Sequence, residues 1–374
     1  MSTLNNVLIV GGGIGGMATA IRLARTGATI DIVDVDPDWR VYGAGITITG
    51  STLRAYKRLG LIEAIGTHGA FTDGTRMFRY DGVWINDLEE PPLEPGIPAV
   101  GGILRPILHR IMQEQVRALD VGVRLGVTVD TLANTPGGVD VVFSDGTRGR
   151  YDLVVGADGI FSRVRELAFP HMVKTAFTGQ GCWRIVGARP PGMNRGEFYF
   201  GHTNPAGITA CGPDSVYLWM LVEDHEHVRI PEHEMHDRFR ALIADFGGNV
   251  AWLRERMTQD SFINYRPLEA AIQPLPWTNG RIALLGDAAH ATTPHLASGA
   301  GLAVEDGLVL GDELERPGVD VETALAAYAA RRFDRCRLVV EYSLAIGAIQ
   351  LAHGSPESLS AFYDKAQREL AAEY

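Results

Sequence analysis

A short segment late in the chain, LLGDAAHATTPHLASGAG at residues 284–301, brings a carboxylate and several small residues to the point where a strand meets a helix. Two leucines precede Gly286 and Asp287, and helical sequence resumes near Leu302. Small residues let backbone amides approach a ligand closely, and the amino end of a helix carries unpaired N–H groups and partial positive charge. The segment therefore predicts contact with a flat, polar ligand. A tightly packed helix entry would explain the small residues but not Asp287.

The start of the chain carries a second pattern that is typical of ligand binding. The strand sequence NVLIV runs into GGGIGG, a helical segment and a second strand, ATIDIVD, which ends at Asp34. Gly11, Gly13 and Gly16 match G-x-G-x-x-G, in which the glycines allow a tight turn, close approach to a pyrophosphate and helix–strand packing. Asp34 follows Gly16 by 18 residues, where an acid binds ribose hydroxyls. This order of elements predicts a dinucleotide site.

The composition excludes several other classes of protein. A chain of 374 residues is long enough for two domains, and its net charge of −11 offers no electrostatic basis for binding nucleic acid or an acidic membrane surface. Cys182, Cys211 and Cys336 are far apart, which indicates a reducing compartment and neither a disulfide framework nor a zinc site. The sequence shows no signal peptide and no membrane span. We expect a cytoplasmic protein without nucleic-acid or membrane partners.

The pattern along the chain predicts an α/β fold in which a Rossmann-like domain is interrupted by an antiparallel sheet and followed by helices. Ser51 is expected to cap a helix that begins near Thr52. Alternating segments between 181 and 222 predict the antiparallel sheet. The other expected elements are short strands and a proline-rich loop over 72–100, a helix after Pro106, strands at 121–129, 138–143 and 147–150, polar helices near 231–246 and 249–257, and helices from Leu302 onwards.

Three motifs together resemble one family. GGGIGG near the start, GADG at 156–159 and GDAAH…P…GAG late in the chain are similar to those of the FAD-dependent aromatic hydroxylases. These are single-component (group A) flavoprotein monooxygenases of the para-hydroxybenzoate and salicylate hydroxylase type. The resemblance covers residues 5 to about 345. It implies an FAD-binding domain at 1–70, 101–178 and 271–345, a substrate domain at 71–100 and 179–270, and a helical segment at 346–374.

The resemblance also implies which residues bind non-covalent FAD. Asp287 would contact the ribityl or diphosphate region, the carbonyl of Pro294 would lie near the flavin ring, and residues 296–301 would lie beneath its pyrimidine end. The amino end of the following helix would then stabilise the anionic reduced flavin. The implied FAD-binding residues are Gly11, Gly13, Ile14, Gly15, Gly16, Asp34, Arg40, Ala44, Arg105, Val129, Asp158, Asp287, Pro294, Gly299, Ala300, Gly301 and Leu302.

The chemistry implied by the resemblance is aromatic hydroxylation. NADPH or NADH reduces the flavin, O2 adds to it to give a C4a-hydroperoxide, and the distal oxygen passes to an aromatic or heteroaromatic small molecule. The protein must position the substrate and exclude water. We expect NAD(P)H to bind without a second nucleotide fold, near the Asp158 turn and Arg40, and the enzyme to be a monomer or homodimer. A same-fold oxidase or epoxidase, or a non-catalytic FAD-binding protein, remains an alternative.

The sequence is less informative about the substrate pocket, and the catalytic residues stay unknown. Thr47 occupies a position where relatives place a catalytic histidine, so that base is absent. His290 is expected to be a structural hydrogen-bonding residue, and the histidine-rich segment around 225–236 a solvated loop without a metal site. Half of the residues in a sheet face away from any pocket, so each candidate has a packing role as its alternative. The candidates are Thr47, Arg184, Tyr199, His202, Cys211, Tyr217, Trp219, Pro294 and His295.

The first prediction concerns how the cofactor is held. The dinucleotide fingerprint requires an adenosine diphosphate half, and the sequence shows no covalent attachment motif. We therefore expect heat or acid to release a yellow chromophore that chromatography identifies as FAD. Recovery of FMN, or colour that stays with the precipitated protein, would contradict this.

Overall fold

The computed structural model describes residues 4–41, 43–225, 227, 229–354 and 356–374. Its strands, in chain order, are β1 (Asn6–Val10), β2 (Thr29–Asp34), β3 (Gly45–Ile48), β4 (Ala70–Thr72), β5 (Gly74–Arg79), β6 (Trp84–Glu89), β7 (Val100–Leu104), β8 (Gly122–Leu125), β9 (Val129–Thr135), β10 (Gly138–Phe143), β11 (Arg148–Tyr151), β12 (Leu153–Gly156), β13 (Ala176–Ala188), β14 (Gly196–Phe200), β15 (Ala206–Ala210), β16 (Ser215–Glu223), β17 (Ile263–Ile272), β18 (Thr278–Asn279) and β19 (Ile282–Leu284).

The helices connect these strands and make up the end of the chain. They are α1 (Ile14–Ala24), α2 (Gly50–Leu59), α3 (Ile62–His68), α4 (Arg105–Ala118), α5 (Arg163–Ala168), α6 (Glu232–Leu242), α7 (Gly248–Arg256), α8 (Asp287–His290), α9 (Gly299–Leu314), α10 (Val321–Leu351) and α11 (Pro356–Ala371), with a 3₁₀ turn at Pro294–Leu296. None of the helices within the described ranges has the length and apolarity that a lipid bilayer crossing requires.

The first large sheet is the predicted parallel one. Its strand order is β18–β19–β12–β1–β2–β8, and every neighbouring pair is parallel except β18–β19. The apolar runs Val7–Val10 and Leu153–Val155 are buried almost completely, as expected for parallel strands covered by helices. Helix α1 packs against α9, so the two helices that follow the glycine-rich segments lie side by side. The predicted α/β fold class is confirmed.

The second large sheet combines distant parts of the chain. Its order is β17–β13–β16–β15–β14–β5–β6, antiparallel except for the parallel pair β14–β5. One face carries Trp183, Leu218 and Met220 and packs against α6 and α7 through Phe239 and Val250. The opposite face is therefore left to face the parallel sheet. The predicted antiparallel sheet at 181–222 is confirmed, with additional strands on both sides, while the proposed domain boundaries stay a prediction.

Some element boundaries differ from the sequence prediction. Helix α2 begins at Gly50 after Thr49, so Ser51 lies inside the helix and the expectation that it caps the helix is wrong. Helix α9 begins at Gly299 rather than near Leu302. The strand expected at 121–129 is two strands, because Gly126 adopts a left-handed conformation with φ of +71° and turns the chain between them.

The second prediction compares two glycines of the first turn. A methyl group on Gly16 would overlap the carbonyl oxygen of Gly11, whereas one on Gly13 would meet no atom within 4 Å. Gly16→Ala should lower the free energy of unfolding by about 1–3 kcal/mol, because backbone must shift. Gly13→Ala should leave stability nearly unchanged but weaken FAD binding. Denaturant titration of the apoproteins measures the first effect, and equal destabilisation by both variants would contradict the packing argument.

Candidate active site

A cavity of about 450 Å³ lies between the parallel sheet and the open face of the seven-stranded sheet. It is lined by the turn after β1, by β3, by the segment 285–303 and by strands β13, β16 and β17. The structure thus brings together residues that are hundreds of positions apart in sequence. The predicted site residues on its lining are Gly13, Ile14, Gly15, Ala44, Thr47, Arg105, Arg184, Tyr217, Asp287, Pro294, Gly299 and Ala300.

Two helix amino ends open onto this cavity without a side-chain cap. Gly13 precedes α1, and Ser298 precedes α9 but turns its hydroxyl to the carbonyl of Leu296, at 2.7 Å. The first-turn N–H groups and the positive end of each helix dipole are therefore left for a ligand. The open space beside Gly13 allows close approach. These features fit a diphosphate at α1 and the polar edge of a flavin ring at α9.

Other glycine-motif residues determine the shape of the turn. Gly11 has φ of +107°, and a side chain there would overlap the backbone of Ala157. The carboxylate of Asp34 accepts hydrogen bonds from the amide of Gly12, at 2.7 Å, and from that of Asp36, at 2.8 Å. Asp34 therefore holds the turn after β1 against the end of β2. A carboxylate has about four acceptor positions, so this arrangement leaves capacity for ribose hydroxyls.

Asp287 and Arg105 present opposite charges to the cavity. Asp287 follows Gly286, whose φ of +60° and ψ of −144° favour glycine. Desolvation raises the pKa of Asp287 despite the opposing effects of His290 and Arg105. Desolvation and the nearby charge of Arg184 lower the pKa of Arg105. No hydrogen bond joins either charged group to another described residue, so both are available to a ligand.

The opposite wall is one face of the seven-stranded sheet. Arg184 pairs in register with Trp219 and with Asn264, so the three side chains share this face. The hydroxyl of Tyr217 lies 2.6 Å from Oγ1 of Thr47. Thr47 Oγ1 in turn lies 3.1 Å from that of Thr209. Burial raises the pKa of Tyr217, which keeps it a neutral hydrogen-bonding phenol.

Sequence reasoning missed the contribution of β17 to this wall. Asn264, Arg266 and Leu268 line the cavity, although the predicted pocket was restricted to 181–222. The three residues alternate with Tyr265, which packs in the core on the other face. This two-residue period was the available signal, because alternate residues of a strand share a face.

Several predicted pocket residues do not line the cavity. His202 is exposed and packs on Tyr80, with 3.8 Å between ring centroids. Cys211 is buried against Ala44 and Tyr217, which line the cavity, but it does not line the cavity itself. Trp219 shares the face of Tyr217 but is half-buried against neighbouring apolar groups and does not line the cavity. His202 lies in the loop after β14, Cys211 directly follows β15 and Trp219 lies on β16, and none of the three lines the cavity.

Two further pocket candidates point into different surroundings. Tyr199 lies in the core on the far side of the sheet, where its hydroxyl donates to Glu197 at 2.7 Å. His295 turns away from the cavity that Pro294 lines: its ring contacts Thr293 at 2.8 Å and Gln350 at 3.1 Å. Burial lowers the pKa of His295 to about 4, so the ring stays neutral. The pocket candidate His295 therefore does not line the cavity.

Several predicted FAD-binding residues that lie off the cavity lining have structural surroundings of their own. Arg40 is exposed and pairs with Asp38 at 2.7 Å. The carboxylate of Asp158 accepts from the amides of Arg163 and Val164 at the start of α5, although its neighbour Gly159 does line the cavity. The others are Val129, buried at the start of β9, and Leu302, buried in the first turn of α9. Gly301 also lies in that turn, close against Thr52.

A buried charged cluster lies beneath the cavity. The Nε2 atom of His290 lies 2.6 Å from Asp306, consistent with the structural role expected for His290. His290, Asp306 and Cys336 are close enough together to surround a metal ion. However, Arg332 also pairs with Asp306, at 2.7 Å, so the carboxylate charge is already balanced. The histidines of the 225–236 segment that the structure describes instead pair with neighbouring acids.

Comparison with known proteins identifies the family. The chain belongs to the family described as "FAD binding domain", whose model matches residues 5–343. A Bacillus subtilis (strain 168) protein described as an FAD-dependent monooxygenase is 30% identical over 342 residues, which are 91% of this chain and 92% of that protein. The 2-heptyl-3-hydroxy-4(1H)-quinolone synthase of Pseudomonas aeruginosa (strain UCBPP-PA14) is 30% identical over 317 residues, 81% of this chain and 79% of the synthase.

A solved structure supports the same fold. HpxO of Klebsiella pneumoniae, crystallised with FAD and uric acid, superposes with a TM-score of 0.84 at 24% sequence identity, over 97% of this chain and 93% of HpxO. Family and fold together confirm the predicted family, the FAD-dependent aromatic hydroxylases, and FAD as the cofactor. The individual contacts with FAD stay predictions.

The third prediction separates ligand binding from helix capping. Asp287→Ala removes a charged acceptor that no described residue uses, so it should weaken FAD binding by about 1.5–3 kcal/mol, roughly 10- to 150-fold in Kd. The apoprotein should keep its stability. Asp320→Ala, the matched control away from the cavity, should lower the free energy of unfolding by about 1 kcal/mol, because Asp320 caps α10 by accepting from the amide of Thr323 at 2.9 Å. Full FAD occupancy of purified Asp287→Ala would show that the site is misassigned.

Proposed function

We propose that the protein is an FAD-dependent monooxygenase that uses NADPH or NADH and O2 to hydroxylate an electron-rich aromatic or heteroaromatic small molecule. The observation that carries this proposal is the arrangement of two unlike walls across one cavity. The wall formed by the glycine turns and helix ends suits FAD. The wall formed by Arg184, Tyr217 and Asn264 suits a small ring with polar substituents. The binding of uric acid, a flat heterocycle, by HpxO supports this assignment.

The charges of the substrate wall favour an anionic substrate. Arg184 and Arg266 line the cavity, whereas Asp287, the one carboxylate among its described lining residues, lies on the FAD wall. Positive charge near a phenol or an acidic ring N–H lowers its pKa and favours the electron-rich anion. The substrate can thus be activated without a side-chain base, which agrees with the expectation that Thr47 supplies none. Reduced FAD, when bound, supplies the chemistry that activates O2.

Hydroxyl groups on the same wall as the arginines can orient a substrate by hydrogen bonding. Tyr217, neutral because its pKa is raised, can donate to a substrate oxyanion while accepting from Thr47. Thr47 belongs to β3 of a small sheet with the order β3–β7–β4, and Tyr217 to β16 of the seven-stranded sheet, so a substrate held here contacts these two sheets.

The nicotinamide nucleotide has a different binding requirement from FAD. The one G-x-G-x-x-G turn of the sequence is assigned to FAD, so NAD(P)H is proposed to bind transiently at the surface near the Asp158 turn. Gly43, with φ of +149°, lies against the Arg105 side chain beside the cavity, and its conformation gives the backbone freedom to shift with a moving ring. We propose a monomer or homodimer as the working unit.

The fourth prediction tests substrate-dependent reduction. A panel of phenols, anilines and N-heteroaromatics is screened for stimulated NAD(P)H oxidation, with methyl ethers or esters of the acidic compounds as matched neutral controls. In anaerobic stopped-flow experiments, an active ligand should accelerate flavin reduction at least about tenfold, a barrier change near 1.4 kcal/mol. The anionic members should be the effective ones.

Product analysis distinguishes hydroxylation from other flavin chemistry. A hydroxylase consumes NAD(P)H and O2 together and transfers one oxygen atom from O2 to the ligand, which mass spectrometry with ¹⁸O2 detects. Equal reduction rates with and without ligand would rule out substrate gating. Absence of labelled product across the panel, with hydrogen peroxide as the only oxygen product, would favour an oxidase.

A further inference from the structure

The buried carboxylate of Asp306 connects two separate parts of the FAD wall. Asp306 is fully buried on α9, two helical turns after Gly299. It accepts a hydrogen bond from the amide of Gly286 at 2.9 Å, lies 2.6 Å from Nε2 of His290 and accepts from Nε of Arg332 at 2.7 Å. The first two contacts belong to the segment that carries Asp287, and the carboxylate itself belongs to the helix whose amino end opens onto the cavity.

The same oxygen atom holds both ends of the one-turn helix α8. Oδ2 of Asp306 contacts Gly286, directly before α8, and His290, its last residue. Gly286 has a positive φ, and its carbonyl accepts from the amides of Ala289 and His290, both at 2.8 Å. Without Asp306 the amide of Gly286 would be buried without a partner, which is costly. The carboxylate therefore stabilises the turn that directs Asp287 into the cavity.

Surrounding charges keep Asp306 ionised and in place. Burial alone would raise its pKa, but His290 and Arg332 lower the pKa of Asp306 to about 2. Arg332 also contacts Glu305 at 2.9 Å, and Arg335 binds both oxygens of Glu305. Glu305 thus belongs to the same buried network but makes no contact with 286–290 in the described structure. It is a natural control for Asp306, one residue away on the same helix.

We infer that Asp306 is a positioning residue for FAD, because it fixes Asp287 relative to the amino end of α9. The inference rests on the FAD site described above and does not depend on the substrate or on the oxygen chemistry. In this inference, one buried carboxylate determines the distance between Asp287 and the amino end of α9, which FAD must contact at the same time. Such spacing matters because a ligand held at two points loses affinity when either point moves.

The test compares two isosteric substitutions that each remove one buried negative charge. Asp306→Asn should raise the Kd for FAD at least about tenfold, because an amide has one acceptor oxygen: directing it to Gly286 and His290 turns the NH2 group against the Nε–H of Arg332. Glu305→Gln should raise Kd less than about threefold, although both variants lower Tm. The Kd is measured by titrating each apoprotein with FAD and following flavin fluorescence.

A double-mutant cycle with Asp287→Ala shows whether Asp306 acts through Asp287. If it does, Asp306→Asn should add less than about threefold to the Kd of Asp287→Ala, since the positioned group is already gone. Equal effects of Asp306→Asn and Glu305→Gln on Kd, or additive effects with Asp287→Ala, would overturn the inference and indicate general stabilisation only. An unchanged Kd for Asp287→Ala alone would instead overturn the FAD-site assignment on which the inference rests.

A second variant covers the case in which Asp306→Asn does not fold. His290→Gln keeps Asp306 and its contact with Gly286 but weakens the contact between Asp306 and the last residue of α8. It should raise the FAD Kd by about three- to tenfold and should also be non-additive with Asp287→Ala. A His290→Gln protein with the Kd of the unmodified protein would overturn the inference that Asp306 acts through both ends of α8.

Discussion

The unpaired amides at the amino ends of α1 and α9 are the constraint on which the rest of the structure depends. Neither helix has a side-chain cap, so their first-turn N–H groups require an acceptor from outside the chain. Because α1 packs along α9, both ends are directed to one cavity. Gly11 and Gly16 let the turn before α1 fold tightly, and Asp306 of α9 holds the Gly286 turn before α8. FAD, with its diphosphate and polar ring edge, supplies acceptors for both ends.

The two walls of the cavity carry different charges, which suit two different ligands. Asp287 lies with the helix ends on the FAD wall, and Arg184 and Arg266 lie on the sheet wall. Arg105 is near both walls. The positive charge of Arg184 lowers the pKa of Arg105, whereas the negative charge of Asp287 raises it. Repulsion between the arginines is relieved when an anion binds between them. The arrangement thus couples substrate charge to the cofactor side of the cavity.

Local motifs were predictable from sequence because their chemistry lies within a few residues. The glycine turn, Asp34 and the 284–301 segment were found in this way, and the parallel sheet followed from the βαβ pattern. Long-range pairings were not predictable in the same way. The polar face of β17 joins the site only through its register with β13, and nothing local in Asn264 or Arg266 indicates that pairing. His295 adjoins Pro294 in sequence, yet successive residues of the 3₁₀ turn point in different directions, so its ring contacts Gln350 instead of the cavity.

The parallel pairing of β5 with β14 has a consequence for how the chain is made. Residues 74–89 leave the ribosome about a hundred residues before their partner strand at 196–200, and strands β8 and β12 of the parallel sheet are made in between. Until then the β5–β6 hairpin is an unsupported two-stranded ribbon, which is at best marginally stable in water. Trp84, Ile85 and Leu88 are exposed even in the finished fold. The nascent hairpin is thus an apolar segment with open strand edges, a typical binding site for chaperones and a route to aggregation when synthesis outpaces folding.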